Sequence, residues 1–335
     1  MKSSLINRLF CGLIFGLTLY GLAYARPLDP KPPKKVVIGF YNVENLFDTL
    51  DDPLKKDEEY TPGSEKNWNS ERYKTKLNRL AEVIDGIGGK EYPAILGVCE
   101  VENLGALTDL AEVEALRKAK YRPVLIEGPD QRGIDVGMLY SKKKFKPLNQ
   151  LSYSVDLGEE NRPTRDILHV KGKIKRGPII HVLVNHWPSR YGGAEESEHK
   201  RVAAALVLAN VVDSINKASP EEPIICMGDF NDYPENRSLD EVLPTDAGEL
   251  LVNLMEGLAE TKRGSYNYRG DWGFLDQILV SNHLTNEELP YVLRDQTQPF
   301  FTDSMLYVHP KYGDTKPSRT YGGDNYYGGY SDHLP

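Results

Sequence analysis

The chain has 335 residues, 40% of them apolar and 27% charged, enough to bury a sizeable core and ordinary for a soluble globular protein. Its formal net charge of −8 excludes an overall basic field of the kind that holds a protein on nucleic acid. It does not exclude an enzyme that handles phosphodiesters locally, since a cluster of metal-binding carboxylates would itself make the sequence acidic.

The chain opens on an export signal spanning residues 1–25. Lys2 and Arg8 supply the positive region, Leu9 to Leu22 is apolar, and Ala23-Tyr24-Ala25 is an A-x-A cleavage pattern. The apolar run is short for a membrane span, which needs about 20 residues. The expectation is a secreted or periplasmic protein with no stable membrane insertion after cleavage, an uncleaved anchor being the alternative. A Pro-rich linker follows over residues 26–35, and one domain fills 36–335. Val36 to Tyr41 reads as the first strand. The stretch Asp51 to Asn69 is a long charged loop containing Trp68. Tyr73, Leu77, Leu80, Ile84 and Ile87 then lie on one helix face, ended by Gly88-Gly89. Ala94 to Cys99 is the next strand, and Leu107, Leu110 and Ala111 mark a short helix. Pro123 to Ile126, Val136 to Tyr140, Ile167 to Ile174 and Ile179 to Val184 continue the strands. Val202, Ala205, Leu208, Val212 and Ile215 predict a longer helix, with Glu195 and Glu196 near its start and Pro220 just past its end. Ile224 to Met227 and Phe274 to Val280 are the last strands. Cys99 and Cys226 each lie in an apolar run and read as buried free thiols, and no Cys/His cluster has zinc spacing.

Several strands end directly in polar residues, where layered α/β folds gather their sites. Glu44, Glu100, Asp229 and Asp332 offer carboxylate oxygens, and Asn42 and Asn231 offer amides. This is hard-cation chemistry suited to Mg²⁺, with Mn²⁺ or Ca²⁺ as substitutes. Any single carboxylate has an ordinary reading as a solvated charge or helix cap. Glu100 and Asp229 stand out because each follows an apolar run, and a charge emerging there is costly unless paired or metal-bound. His186 follows a strand directly, and His333 adjoins Asp332; imidazoles so placed can donate to phosphate oxygens.

The ordered set Tyr41-Asn42-Val43-Glu44-Asn45, Val98-Cys99-Glu100-Val101-Glu102-Asn103, Asn185-His186-Trp187-Pro188-Ser189, Gly228-Asp229-Phe230-Asn231-Asp232, Leu275-Asp276-Gln277-Ile278 and Ser331-Asp332-His333-Leu334-Pro335 resembles the endonuclease/exonuclease/phosphatase superfamily. Each motif alone is weak; six in the family's order are specific, and they run from residue 36 to the end. The resemblance implies a four-layer α/β/β/α sandwich with two packed mixed β-sheets, and metal-dependent attack on a phosphoester. It assigns Glu100, Asn42, Asp332 and Glu44 to the metal, Glu44 standing where some branches have Asp. It gives Asp229 and Asn231 the attacking water. His333, oriented by Asp276, contacts phosphate, with His186 as the second histidine. Arg132 and Arg165 resemble cleft positions and are candidate substrate contacts, a salt bridge being the alternative for each.

The superfamily also contains lipid and sugar phosphoesterases and phosphatases. The export signal, and the likeness of residues 185–193 to bacterial extracellular nucleases, favour an endonuclease acting as a monomer on DNA or RNA through transient contacts. An inactive binding module is the alternative of another class, against which the full site set argues. The tail Arg319 to Tyr330 should border the cleft, where its tyrosines could stack on bases or pack locally. In the superfamily the Asp-His-Leu-Pro strand normally continues; with Pro335 last, either the sequence is truncated or the strand is missing, and His333 is expected to be poorly anchored.

Overall fold

The structure is a computed structural model that describes residues 35–89, 91–158, 161–243, 250–261, 264–286, 297–311 and 313–335. The expected export signal, and all but the end of the linker, lie outside the described residues.

The first sheet contains β1 (Ile38–Leu46), β2 (Ile95–Val101), β3 (Tyr121–Leu125) and β4 (Asp135–Ser141), in the order β1-β2-β4-β3. β1 and β2 are parallel, and the other pairs antiparallel. Pro123 sits in β3, at the edge, where its missing N–H costs no ladder bond. Helices α1 (Ser70–Gly86) and α2 (Leu104–Glu112) cover one face, burying Leu77, Leu80, Ile84, Leu107 and Leu110 against Leu96, Val98 and Leu139. Asn69 and Asn103 cap these helices, each accepting a bond from a first-turn N–H.

The second sheet runs β5-β6-β7-β8-β12-β9. It is built from β5 (Phe145–Tyr153), β6 (Ile167–Ile174), β7 (Ile179–His186), β8 (Ile224–Asp229), β9 (Leu251–Asn253) and β12 (Asp276–Ser281), with the small hairpin of β10 (Tyr266–Tyr268) and β11 (Asp271–Gly273) preceding β12. Only β7 and β8 are parallel, so this sheet too is mixed. Helix α3 (Glu198–Ala218) covers its outer face over Leu183, Cys226 and Leu279. Between the sheets lies a third apolar layer that includes Phe40, Ile95, Met138, Val170, Val182 and Met227. The architecture is therefore the four-layer sandwich. Strands buried on both faces read as unbroken apolar runs, which is why the sequence betrays them.

Three expectations need adjustment. β5 has no counterpart in the sequence reading: it is an edge strand with exposed polar residues and no apolar run. Glu195 and Glu196 fall in the turn before α3, and Glu198 takes the first-turn position. Phe274 and Leu275 precede β12 instead of starting it. Cys99 and Cys226 are both buried free thiols, one between the sheets and the other beneath α3. Among the described residues no helix is long and apolar enough to cross a membrane.

Candidate active site

Register places the site. Asp229, the last residue of β8, is paired with His186 at the end of β7 on one side and with Asp276 at the start of β12 on the other. The three therefore form one row across the edge of the second sheet. The first sheet contributes from above through a bulge. Between Asn42 and Leu46 the β1 ladder has three residues where β2 has only Glu100. Glu44, Asn45 and Glu100 all take left-handed backbone there, at φ 48°, 50° and 62°. Such bulges twist a strand and re-aim its side chains. Here the Glu100 carboxylate is turned inward, and it is fixed by the Asn45 N–H at 2.9 Å.

The two halves meet at Asn42. Its amide nitrogen donates to Glu100 Oε1 at 3.2 Å and to Asp229 Oδ2 at 3.1 Å. Asp229 Oδ1 accepts from the Asn231 N–H at 2.9 Å, and the Asn231 amide donates to the Trp187 carbonyl at 3.1 Å. His186 Nε2 lies 3.9 Å from both Glu100 Oε1 and Asp229 Oδ2. His333 Nε2 approaches Asp229 Oδ2 at 3.8 Å, while its Nδ1 bonds Asp276 Oδ2 at 2.6 Å.

The two histidines differ in charge. Burial, then Arg165, Arg132 and His333, hold His186 well below its ordinary value, so it is neutral at pH 7. Burial opposes the charge of His333 too, but Asp276 and then Asp229 and Asp332 outweigh it and hold it well above, so it is an imidazolium. Burial, with Asp276 and Glu100 nearby, raises Asp229 to about 7. Burial and the proximity of Glu44 raise Asp332 to about 6.

This donor set fits a divalent cation. Glu100 and Asp229 converge on one amide, and burial, with the charges of Asp276 and Glu100 added, holds a proton on Asp229 near neutrality; a hard cation offsets both causes. His186 Nδ1 is also buried without a hydrogen-bond partner. Two groupings within ligand reach of one another contain Asp229: one with Cys99 and His186, the other with Asp276 and His333.

Some expected residues are spent on protein partners. Glu44, expected at the metal, is buried and turned aside: its oxygens accept from Arg319 Nε at 3.1 Å and the Thr320 N–H at 2.7 Å, with Lys76 Nζ 3.7 Å away. Arg165, expected as a substrate contact, is buried, and donates to Asp130 and to the carbonyls of His186 and Trp187 at 3.2, 3.2 and 2.6 Å. It holds the end of β7 in place. Arg132, half-exposed, lies 3.5 Å from the same Asp130. Asp332 Oδ2 accepts from Arg319 at 3.1 Å. His333, expected to be poorly anchored, is pinned: its N–H donates to Ser331 Oγ at 3.1 Å and Tyr266 pairs with it as a bridge, while the next N–H, of Leu334, donates to the Ser265 carbonyl at 2.7 Å.

Sequence reasoning missed Arg319 and Lys76. Arg319 joins Glu44 to Asp332, and buried Lys76 donates to Thr320 Oγ1 at 2.6 Å and the Tyr330 carbonyl at 2.7 Å. Lys76 sits mid-helix, and the only signal was a lysine on the apolar face beside Leu77 and Leu80.

This fold and centre are those of a family of phosphoric ester hydrolases. The chain belongs to the endonuclease/exonuclease/phosphatase family, whose model matches residues 37–335. A solved family protein from Bacteroides thetaiotaomicron is similar at 16% identity and a TM-score of 0.55, over 89% of this chain and 92% of that one. A mannosyl-6-phosphatase from the same organism is similar at 16% identity and 0.50, over 74% and 85%. A humanized D. rerio TDP2 is similar at 15% and 0.50, over 79% and 91%. These likenesses concern the fold. No curated protein matches by sequence.

Proposed function

We propose that the protein is an exported, Mg²⁺-dependent phosphodiesterase that cuts nucleic acid strands internally. The observation that carries the reaction type is Asp229, poised between the Asn42 amide and cationic His333, with Glu100 on the same amide. Glu100 and Asp229 would hold the cation, which when bound would neutralise a non-bridging phosphate oxygen. Asn42, expected at the metal, instead orients both carboxylates through its amide nitrogen, its oxygen being taken by the Glu44 N–H at 3.0 Å. Asp229, held by the Asn42 amide and the Asn231 N–H, takes the proton of the attacking water. Asn231 holds Asp229 and the loop of Trp187 in place. His333 donates to the phosphate as negative charge builds, and neutral His186 hydrogen-bonds from the opposite side. The water oxygen bonds to phosphorus as the ester P–O bond breaks, and the leaving oxygen takes a proton from solvent and departs as an alcohol.

The nucleic-acid substrate and the export rest on the sequence: the N-terminal signal and the Asn185-His186-Trp187-Pro188-Ser189-Arg190 segment. Nicking of supercoiled plasmid is the test, with Mg²⁺, with EDTA, and in Asp229→Asn and His333→Ala variants. Nicking that needs the metal and falls at least about a hundredfold in each variant is expected. Intact DNA and RNA beside hydrolysis of a sugar phosphate or phospholipid would overturn the substrate assignment.

A further inference from the structure

The loop after β1 and the C-terminal tail pack against each other beside the catalytic carboxylates. Tyr321 Oη donates to the Lys66 carbonyl at 2.9 Å, and Lys66 Nζ donates to the Gly323 carbonyl at 3.3 Å. Between them lies a pocket of about 210 Å³, walled by Tyr60, Lys66, Trp68 and Arg319 over a floor of Glu44 and Asn45. It adjoins the reaction centre at two points: the Asn45 N–H that fixes Glu100, and the Arg319 guanidinium on Asp332.

Its aromatic residues present no free ring face. Phe47 stacks on Tyr60 at 4.2 Å and 10°. Lys66 Nζ lies over the Tyr60 and Tyr321 rings at 5.6 and 5.2 Å. Trp68 is fully buried, its indole N–H donating to the Phe47 carbonyl at 3.1 Å. Base stacking therefore has no platform here. What remains is a set of donors. Arg319 is 44% exposed, and its bonds to Glu44 and Asp332 use Nε and one terminal nitrogen, leaving the other for a ligand. Besides the Gly323 carbonyl and the two rings, Lys66 meets the exposed carboxylates of Glu59 and Asp324 at 3.3 and 3.5 Å, surface pairs that are worth little and yield to a stronger anion. The floor carboxylate, Glu44, has both oxygens satisfied and Lys76 behind it.

We infer that this pocket receives a second phosphate of the substrate, adjacent to the one hydrolysed, gripped by Arg319 and Lys66. The inference rests on the reading of the site as a nucleic-acid phosphodiesterase. The second phosphate comes either from a strand terminus or from the next internucleotide link. The remaining Arg319 terminal nitrogen and the Lys66 ammonium can each give a charge-assisted hydrogen bond to one phosphate.

The test uses four substrates: a dinucleotide with one phosphodiester, the same with a 5′- or a 3′-phosphate, and a trinucleotide. In the wild type, kcat/KM should rise about tenfold, through KM, when the second phosphate is present. A rise for a phosphorylated dinucleotide alone identifies a terminal phosphate; a rise shared by the trinucleotide identifies the internucleotide link. The ratio should collapse to near one in Lys66→Gln and persist in Lys66→Arg, with both variants checked for folding by thermal melting. A wild-type ratio near one, or one unchanged in Lys66→Gln, overturns the inference. If the wild type hydrolyses bis(p-nitrophenyl) phosphate but none of the nucleotides, the nucleic-acid reading falls. The pocket is then judged by inhibition: methylenebisphosphonate should bind about tenfold more tightly than methylphosphonate, with the gap closing in Lys66→Gln. Equal inhibition by the two overturns it.

Discussion

His333 Nδ1 lies 2.6 Å from Asp276 Oδ2, and this contact keeps a buried imidazole charged where burial alone would neutralise it. Asp276→Asn removes the largest influence holding that proton. The folded-state value of His333 then drops, and the cation is lost at lower pH than in the wild type. The expected pH profile of kcat/KM under saturating metal keeps its alkaline side in the wild type and begins its alkaline decline at lower pH in the variant. The deficit at pH 8 should be about ten- to a hundredfold. Parallel profiles would show that His333 acts without its charge.

Asp229 links stability to metal. Its ordinary value is 3.8 and its folded value about 7, so between these the folded state holds a proton that the unfolded chain has lost. Stability of the metal-free protein therefore falls as pH rises through this window. Asp229→Asn escapes the penalty, so its advantage over metal-free wild type should widen by about 2 kcal/mol from pH 5 to pH 8. Adding the divalent cation should erase or reverse that advantage. Melting temperatures at the two pH values, with and without metal, measure both effects, and a pH-independent gap would remove the argument.

Lys76 and Glu44 are both buried, 3.7 Å apart. Lys76→Met deprives Glu44 of a partner while leaving its charge inside, and should cost about 3–5 kcal/mol in denaturant unfolding. The double variant with Glu44→Gln should recover part of this, because the buried carboxylate that Arg319 and the Thr320 N–H would have to hold without Lys76 is gone. A double variant as unstable as Lys76→Met alone would mean that the lost bonds to Thr320 and Tyr330 dominate.

The sequence exposes what repeats along the chain and hides what depends on distant partners. The buried strands announce themselves by apolar runs, and Asp229, Glu100 and His186 by standing at their ends. β5 is silent because an edge strand facing water needs no apolar pattern. Glu44 looks like a ligand because its motif sits at a strand end; only the fold shows that Arg319, 275 positions later, claims one of its oxygens. Arg165 is ambiguous for the same reason, since its partners at the end of β7 are 21 and 22 residues away. For the tail tyrosines the sequence left stacking on bases and local packing open; Tyr321 and Tyr330 pack locally and are buried, with Tyr330 Oη donating to Glu82 at 3.3 Å, while Tyr327 is exposed.

Asn42 and Glu100 belong to one sheet, and His186, Asp229 and Asp276 to the other. The spacing between them is thus a calliper reading of how far apart the sheets stand. Just beneath, the Met227 side chain fills the space that a Cβ on Gly97 would need, with Sδ 2.6 Å from where that atom would sit. Gly97 is three residues before Glu100, and Met227 two before Asp229, so the jaws of the calliper are set by a sulfur resting on a bare backbone. A methyl group added at Gly97 would meet that sulfur, and Phe40 Cδ2 at 3.1 Å, so either the thioether gives way or the jaws open.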